Sequence, residues 1–272
     1  GADVYVAVDG NDKNDGSFAK PLATFEGAVK KVRELKKTAK DEIVVAFKAG
    51  NYGYLSLDLT AEVLADAVKE SVDLIITHHP VIFDPLKSVN KGSIVYRLIE
   101  SEISVISAHT NLDMAKGGVS DMMLELMGFE SSKVFEVLGE RDGKAFGYGK
   151  IVKLEEPMTV TAFVELVKGA FDVTSVRYTH GENPIKKFAV CSGAGGSNTL
   201  LAVEKSCDAY VTGDCKHNHF IDAKNLGLTL IDAGHFHTES IFAPILCKKL
   251  KKHFNEIEIS VAENDCDPCK YL

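Results

Sequence analysis

The sequence has no apolar stretch long enough to span a membrane and no excess of basic residues. A membrane-spanning helix needs about 20 consecutive apolar residues, and no run in this chain of 272 residues approaches that length. No charged start followed by an apolar stretch is present, so we expect no secretory signal peptide. The 31 lysines and arginines are outnumbered by 39 aspartates and glutamates, which gives a net charge of −8. This balance argues against a nucleic-acid-binding protein, because such proteins usually carry a basic stripe.

Cysteines are few and widely spaced. The six cysteines are scattered through a chain of moderate size, which is typical of reduced thiols in a cytoplasmic protein and not of a disulfide framework. Cys266 and Cys269 form a Cys-x-x-Cys motif, but the chain has no second one. We therefore expect a cytoplasmic location and no structural zinc knuckle.

Two common catalytic signatures are also missing. The glycine-rich stretch at residues 193–197 is not followed by the Lys-Ser/Thr pair that completes a P-loop. Ser192 is not set in a Gly-x-Ser-x-Gly motif, so it is a poor candidate nucleophile. The glycine-rich loop could present backbone N–H groups to a phosphate or could be a plain tight turn, and both alternatives stay open.

What the sequence does contain, from Tyr54 onward, is an alternation of apolar strands and amphipathic helices. Such alternation predicts an α/β fold with a mixed, mostly parallel sheet flanked by helices. We expect residues 54–138 and 188–272 to form this α/β domain, and residues 139–187 to form an inserted small α+β domain. The clearest strands are at 74–76, 104–108, 188–191, 209–212 and 228–231.

Residues 1–53 differ in character from the rest. They contain Asp-Gly-Asn-Asp at 9–12, Lys-Pro-Leu-Ala-Thr at 20–24, a helical pattern from Phe25 to about Lys37, a strand at 43–47 and a turn at 49–52. This order resembles the opening segment of secreted right-handed parallel β-helix proteins. The stacked coils that a solenoid needs do not follow, so we expect no β-helix and interpret the chain as a chimera.

Residue types that bind metals follow three of the predicted strands, at the point where each strand ends. In open α/β sheets, ligands bind outside the carboxyl ends of the strands. Imidazole together with carboxylate suits zinc, manganese, iron or cobalt. We therefore expect the three strand ends to meet at one sheet edge and to bind metal. The residues are His78 and His79, His109 and Asp113, and His235 and Glu239.

Each of these residues also has an ordinary structural interpretation. An isolated histidine at a strand end is usually hydrogen-bonded, and a glutamate at a helix start pairs favourably with the helix dipole. His235 and Glu239, however, are four residues apart and share one face if a helix begins at His235. The agreement of three separate segments favours the metal site over these alternatives.

Four segments in this order resemble the GTP cyclohydrolase 1 type 2 family, also called NGG-one-interacting-factor-three-like. They are Asp-Leu-Ile-Ile-Thr-His-His-Pro at 73–80, His-Thr-Asn-Leu-Asp at 109–113, Thr-Gly-Asp at 212–214 and Asp-Ala-Gly-His-Phe-His-Thr-Glu at 232–239. The similarity runs from about residue 54 to 254. The family's usual opening, which contains a tryptophan, is replaced here by residues 1–53, and the chain has no tryptophan.

This resemblance implies a centre of two divalent metal ions, with Asp113 and Glu239 as bridging ligands. It also implies ring-shaped homo-oligomers, often hexamers. The ligands that it implies are His78, His79, Asp113, His235 and Glu239.

The function that we expect is metal-dependent hydrolysis of a small anionic substrate, such as a nucleotide or another phosphoester. A metal pair would supply the positive charge that the acidic chain lacks. His109, His217 and His237 are the candidate catalytic residues, although His109 could instead orient Asp113 and the other two could be solvated surface residues. The alternatives are a non-catalytic metal-binding scaffold acting through partners and, from residues 1–53 alone, a carbohydrate-binding or lyase role.

Overall fold

The computed structural model describes residues 4–7, 10–35, 45–47, 53–130, 133–141 and 143–270. The turn predicted at 49–52 and part of the strand predicted at 43–47 lie outside these residues. The strands are β1 Val4–Val6, β2 Val45–Phe47, β3 Gly53–Ser56, β4 Leu74–Thr77, β5 Ser104–Ser107, β6 Lys133–Arg141, β7 Lys144–Met158, β8 Arg177–Tyr178, β9 Ile185–Val190, β10 Ala209–Thr212, β11 Thr229–Asp232 and β12 Ile259–Val261. The helices are α1 Phe25–Leu35, α2 Ala61–Lys69, α3 Ile94–Glu100, α4 Thr110–Met114, α5 Val119–Leu126, α6 Val160–Ala170, α7 Thr199–Glu204, α8 His217–Asn225, α9 His235–Glu239 and α10 Phe242–His253.

The chain divides into two compact units. Unit 1 comprises residues 1–107 and 246–265, and unit 2 comprises residues 108–245 and 266–272. The three-part division that we drew from the sequence, with an insert at 139–187, stays a prediction.

Unit 1 is built on a parallel sheet with the strand order β12-β3-β4-β5. Helix α2 begins at Ala61 because the Thr60 side chain accepts a hydrogen bond from the N–H of Val63 at 3.2 Å. The helix buries Val63 and Leu64 in a core that includes Ile75 of β4. Burying such a side chain contributes about 1.5–3 kcal/mol. Helix α2 therefore packs against β3 and β4 through this core, which also includes Tyr54.

The N-terminal segment of unit 1 forms a small cluster of its own. β1 and β2 pair in parallel, and Val4, Val6, Leu22 and Ala28 form a separate buried core. Oδ1 of Asp12 accepts hydrogen bonds from the N–H groups of residues 23 and 24, each at 2.9 Å, and so ties the turn before α1 together. The likeness of this segment to the start of a β-helix protein stays a prediction.

Unit 2 is built on a mixed sheet with the strand order β6-β7-β9-β10-β11-β8. β9, β10 and β11 are parallel, and the pairings of β6, β7 and β8 are antiparallel. Along β10, Ala209 and Val211 point into a core with helix α6, while Tyr210 points into a core with helix α7 and α8. Both faces of the strand are therefore covered, as in α/β proteins. The predicted α/β class, a mixed sheet flanked by helices, is confirmed.

One prediction about the sheets is wrong. From the sequence we expect the ends of β4, β5 and β11 to lie at one edge of a single sheet. β4 and β5 are neighbours in the sheet of unit 1, whereas β11 pairs with β10 in the sheet of unit 2. Alternation of strands and helices indicates parallel pairing, but it does not specify which strands share a sheet.

Among the described residues, the structure has no helix with the length and apolar character needed to cross a bilayer.

Candidate metal-ligand clusters

In unit 2, His235 and Glu239 lie on the same face of helix α9. Nε2 of His235 is 2.9 Å from Oε2 of Glu239, as the spacing of four residues predicts. Gly234 precedes the helix with φ of +89°, a conformation that only glycine adopts readily, and so allows the abrupt turn from β11 into α9. Glu239 is buried, with only 4% of its surface exposed.

Asp113 joins this pair from helix α4. One of its carboxylate oxygens lies within 4.8 Å of one of Glu239. Oδ1 of Asp113 also accepts a hydrogen bond from the Ser192 hydroxyl at 3.0 Å, a buried contact. Glu239 thus lies close to a second buried carboxylate and to an imidazole.

The glycine-rich loop after β9 packs directly against this cluster. A Cβ atom at Gly193 would lie 2.0 Å from Oε1 of Glu239 and 3.3 Å from Nε2 of His235. The N–H of Gly193 donates to the Thr238 hydroxyl at 3.0 Å. At Gly195 a Cβ atom would lie 2.3 Å from the Thr212 hydroxyl. The loop therefore packs closely against neighbouring side chains, and the choice between a phosphate-binding loop and a plain tight turn stays open.

The cluster favours positive charge. The hydrogen bond with Glu239 raises the pKa of His235 to about 9, and the hydrogen bond between its Nδ1 and Asp214 at 2.7 Å acts in the same direction. The neighbouring carboxylates therefore favour the charged form of the ring, as they would favour another cation at this position. Glu239 lies close to the partly exposed imidazole of His235 and to the buried carboxylate of Asp113. Imidazole and carboxylate are donor types that zinc, manganese, iron and cobalt accept. The residues of unit 2 therefore fit a divalent metal ion.

In unit 1, His78 and His79 follow directly after β4. His78 has no exposed surface, and a ring nitrogen of each histidine lies within 4.8 Å of one of the other. Nδ1 of His79 is 2.8 Å from Oδ1 of Asp58. The Thr77 hydroxyl donates to the carbonyl oxygen of His79 at 2.7 Å, which fixes the backbone of the pair. Unit 1 thus presents two adjacent imidazoles of the kind that bind metal.

The three candidate catalytic histidines lie in different places. His109 precedes α4, and its carbonyl oxygen accepts a hydrogen bond from the N–H of Asp113 at 3.2 Å. His217 begins α8 and is exposed. His237 lies in α9, with Nε2 at 3.5 Å from a carboxylate oxygen of Asp267. Their catalytic roles stay predictions.

A cavity of about 510 Å³ lies beside His235 in unit 2, within the usual size range of small-molecule sites. His237 lines the same cavity, whereas His217 lines another one. Arg177 lines the first cavity and forms an ion pair with Asp232, and the Arg177 side chain is 64% exposed. The cavity therefore holds both a candidate metal ligand and an accessible guanidinium group.

Sequence reasoning missed three residues that contact the candidate ligands. Asp58 and Asp214 are hydrogen-bonded to His79 and His235, and Ser192, rejected as a nucleophile, holds Asp113. Asp214 was within reach, because it ends the Thr-Gly-Asp segment that carries part of the family resemblance. Asp58 lies in none of the segments that carry the family resemblance, so the sequence did not point to it.

The comparisons with known proteins extend over most of the chain. The family model described as Duf34/NIF3 (NGG1p interacting factor 3) matches residues 53–268. The chain belongs to the Duf34/NIF3 family. This match begins next to residue 54, where the sequence resemblance was expected to start.

Two relatives and one solved structure illustrate the similarity. The GTP cyclohydrolase 1 type 2 homolog of Clostridium acetobutylicum is 32% identical over 225 residues, which are 79% of this chain and 84% of the relative. NGG1-interacting factor 3 of Saccharomyces cerevisiae is 30% identical over 231 residues, 79% of each chain. The crystal structure of a Bacillus cereus protein related to NIF3 superposes with a TM-score of 0.73 at 24% identity and covers 82% of this chain and 89% of that one. The structural match supports the fold.

Proposed function

We propose that this Duf34/NIF3 protein is a metal-dependent hydrolase that binds two divalent metal ions. The observation that carries the proposal is the position of Glu239 in unit 2, where it contacts His235 directly and has a carboxylate oxygen within 4.8 Å of one of Asp113. The full ligand set is the one that the family resemblance implies. It consists of His78, His79, Asp113, His235 and Glu239.

Residues of the chain provide and position the ligand atoms that metal-dependent hydrolysis requires. Divalent ions held by these ligands would supply Lewis-acid polarisation of a substrate oxygen and activation of water. Asp113 and Glu239 are buried and, when ionised, offer only acceptor oxygens. The Ser192 hydroxyl donates a hydrogen bond to Oδ1 of Asp113. Because Gly193 has no side chain, the carboxylate of Glu239 can occupy the space beside it. We propose His109, His217 and His237 as the histidines that assist proton transfer.

The proposed substrate is a small anionic molecule, a nucleotide or another phosphoester. The name of the Clostridium acetobutylicum relative, a GTP cyclohydrolase 1 type 2 homolog, points to nucleotides as the first class to try. The cavity beside His235 offers the exposed guanidinium of Arg177, a group whose planar donors suit phosphate oxygens. A phosphoester bound there would lie next to a proposed metal ligand.

The test combines metal analysis with a substrate panel. The purified protein is expected to contain up to two equivalents of zinc, manganese, iron or cobalt per chain by elemental analysis. The metal-loaded protein is then assayed on nucleotides, including GTP, and on other phosphoesters, beside His78→Ala and Glu239→Ala. We expect turnover in the native chain and loss of it in both variants. Turnover that persists in both variants would show that another site catalyses the reaction.

A second candidate function is a metal-binding protein that acts through partners without turnover. The name of the yeast relative, NGG1-interacting factor 3, favours this alternative. It predicts bound metal and no reaction on any member of the panel. Metal content and turnover together therefore distinguish the two functions.

We further propose that the chain works in the cytoplasm as a homo-oligomer, a hexamer by family resemblance. Light scattering coupled to size-exclusion chromatography should then give about six times the mass of one 29.5 kDa chain. A monomeric mass at all concentrations would reject the hexamer without affecting the metal proposal.

A further inference from the structure

We propose that Asp58 and Asp214 are positioning residues that hold the proton of His79 and of His235 on Nδ1, so that each ring offers Nε2 to a metal ion. This inference rests on the proposed metal function. Neither aspartate belongs to the ligand set that the resemblance implies.

In unit 2, Asp214 is brought to His235 by two adjacent parallel strands. β10 and β11 end side by side, with Thr212 opposite Asp232. Asp214 follows β10, His235 follows β11, and Oδ2 of Asp214 is 2.7 Å from Nδ1 of His235. The carboxyl end of one strand therefore supplies the imidazole, and the end of its neighbour supplies the carboxylate.

In unit 2 the backbone of the turn after β10 closely approaches the backbone at the start of α9. A Cβ atom at Gly213 would lie 2.7 Å from the backbone nitrogen of His235. Asp214 itself has φ of +52°, in the left-handed region that residues other than glycine seldom adopt. Both features bring the turn after β10 against the start of α9. Strained conformations of this kind persist where the surrounding structure holds them, often at functional sites.

In unit 1, Asp58 and His79 repeat the arrangement. β3 and β4 are adjacent and parallel, with Ser56 opposite Thr77. Asp58 follows β3, His79 follows β4, and Oδ1 of Asp58 is 2.8 Å from Nδ1 of His79. Two hydrogen bonds stabilise the turn that carries Asp58. The Ser56 hydroxyl donates to the carbonyl oxygen of Asp58 at 2.6 Å, and Asp265 accepts the N–H of Leu57 at 2.6 Å.

The chemistry of the carboxylate determines what these contacts do. An ionised carboxylate only accepts hydrogen bonds, so the ring nitrogen facing it must carry the proton. A neutral imidazole then has its lone pair on the other nitrogen, Nε2, which is the form that binds a metal. Nε2 of His235 faces the Glu239 carboxylate at 2.9 Å and is protonated as well in the metal-free chain. A metal ion bound to Nε2 would displace that proton and leave the one that Asp214 accepts from Nδ1. A hydrogen-bonded carboxylate behind a ligating histidine also fixes the ring orientation.

Stability alone does not account for these pairs. The side chains of Asp58 and Asp214 are 49% and 57% exposed. Contacts of such exposed side chains contribute little to folding even when both partners are charged. A role in orienting the rings explains why the same arrangement occurs at two strand ends in two different sheets.

The test uses Asp58→Asn and Asp214→Asn in the full chain, with Asp84→Asn as the matched control. An asparagine amide donates as well as accepts hydrogen bonds, so it no longer selects one imidazole tautomer. Asp84 is exposed in the loop after His79. We expect each of the first two variants to bind zinc about 10–100-fold more weakly than the native chain, in competition with a chromophoric chelator. The control should bind as the native chain does.

Two spectroscopic measurements separate positioning from general destabilisation. The cobalt-loaded Asp58→Asn and Asp214→Asn variants should show altered ligand-field absorption bands, while Asp84→Asn should not. Nitrogen-15 spectra of the imidazole rings in the zinc-loaded native chain should show His79 and His235 protonated at Nδ1. Unchanged affinity and unchanged cobalt bands in both Asn variants would overturn the proposal.

The nitrogen-15 spectrum of the metal-free protein tests the selection of the tautomer separately from the proposed metal function. A native chain that binds neither zinc nor cobalt would remove the proposed function. If His79 in that chain still carries its proton on Nδ1, and loses this preference in Asp58→Asn, the selection of the tautomer stands. If His79 shows no preference in the native chain, the inference fails as well.

Discussion

Gly193 lies so close to Glu239 that a Cβ atom at position 193 would stand 2.0 Å from Oε1 of the glutamate. The loop after β9 and the end of α9 are thus packed together without room for a side chain. Glu239 in turn contacts His235 at 2.9 Å. Any side chain added at position 193 must move a residue that we propose as a metal ligand.

The first prediction concerns Gly193→Ala. Its φ of +60° is strained for alanine, and the added methyl group displaces Glu239. A strained backbone conformation costs about 1–3 kcal/mol. We expect the free energy of unfolding to fall by at least this amount. We also expect the variant to bind zinc more weakly. Urea denaturation and chelator competition measure the two effects.

Gly169→Ala is the matched control for this substitution. Gly169 lies in helix α6 with open space around its Cβ position. Because alanine is the better helix former, we expect the control to gain up to about 1 kcal/mol of stability and to keep its zinc affinity. A Gly193→Ala variant as stable and as tightly zinc-binding as the control would contradict the close contact with Glu239.

The second prediction concerns Ser192→Ala. The Ser192 hydroxyl donates a buried hydrogen bond to Asp113 at 3.0 Å. A hydrogen bond to a charged group contributes about 1.5–3 kcal/mol to stability, so the variant should lose stability of that order. Ser197→Ala, at an exposed position of the same loop, should change it by less than about 0.5 kcal/mol. Equal denaturation midpoints for the two variants would reject the role of Ser192.

The sequence predicted the contact within α9 better than the arrangement of the sheets. The spacing of His235 and Glu239 depends only on helix geometry, which is local, and the two side chains do meet. Ser192, Asp214 and His235 follow the adjacent parallel strands β9, β10 and β11, so their strand ends lie side by side in unit 2. Whether these residues bind metal stays a prediction.

What the sequence could not specify depends on strand pairing. Asp58 reaches His79 only because β3 lies beside β4 with Ser56 opposite Thr77. A pattern of apolar residues indicates strands but not their neighbours or register. The assignment of β11 to the same sheet as β4 and β5 was wrong for the same reason.

The third prediction concerns the six thiols. Burial raises the pKa of Cys191 and of Cys215 to about 12, and that of Cys207 to about 11. A raised thiol pKa means that the reactive thiolate is scarce until the pH approaches that value, so these thiols stay protonated at neutral pH. Cys247 is buried as well, whereas Cys266 and Cys269 are exposed.

We therefore expect a chromogenic disulfide reagent to modify the two C-terminal thiols quickly in the native protein and the other four only after denaturation. A Cys266→Ser, Cys269→Ser double variant should show almost no fast phase. A fast phase of more than two equivalents in the native chain would show that the described burial is wrong for at least one of the remaining cysteines.

The last prediction concerns removal of the metal. An ion that binds only the folded chain stabilises it in proportion to the logarithm of its concentration over Kd, by about 4.1 kcal/mol at 1,000 times Kd. A chelator should therefore lower the melting temperature of the native protein, and added zinc should restore it. Glu239→Gln keeps the shape of the buried side chain but removes its charge. A neutral amide is a weak ligand for these ions. The melting temperature of this variant should therefore respond far less to the chelator or to added zinc. Equal responses in the native chain and in Glu239→Gln would show that the stabilising ion binds elsewhere, because the two proteins differ only at this carboxylate.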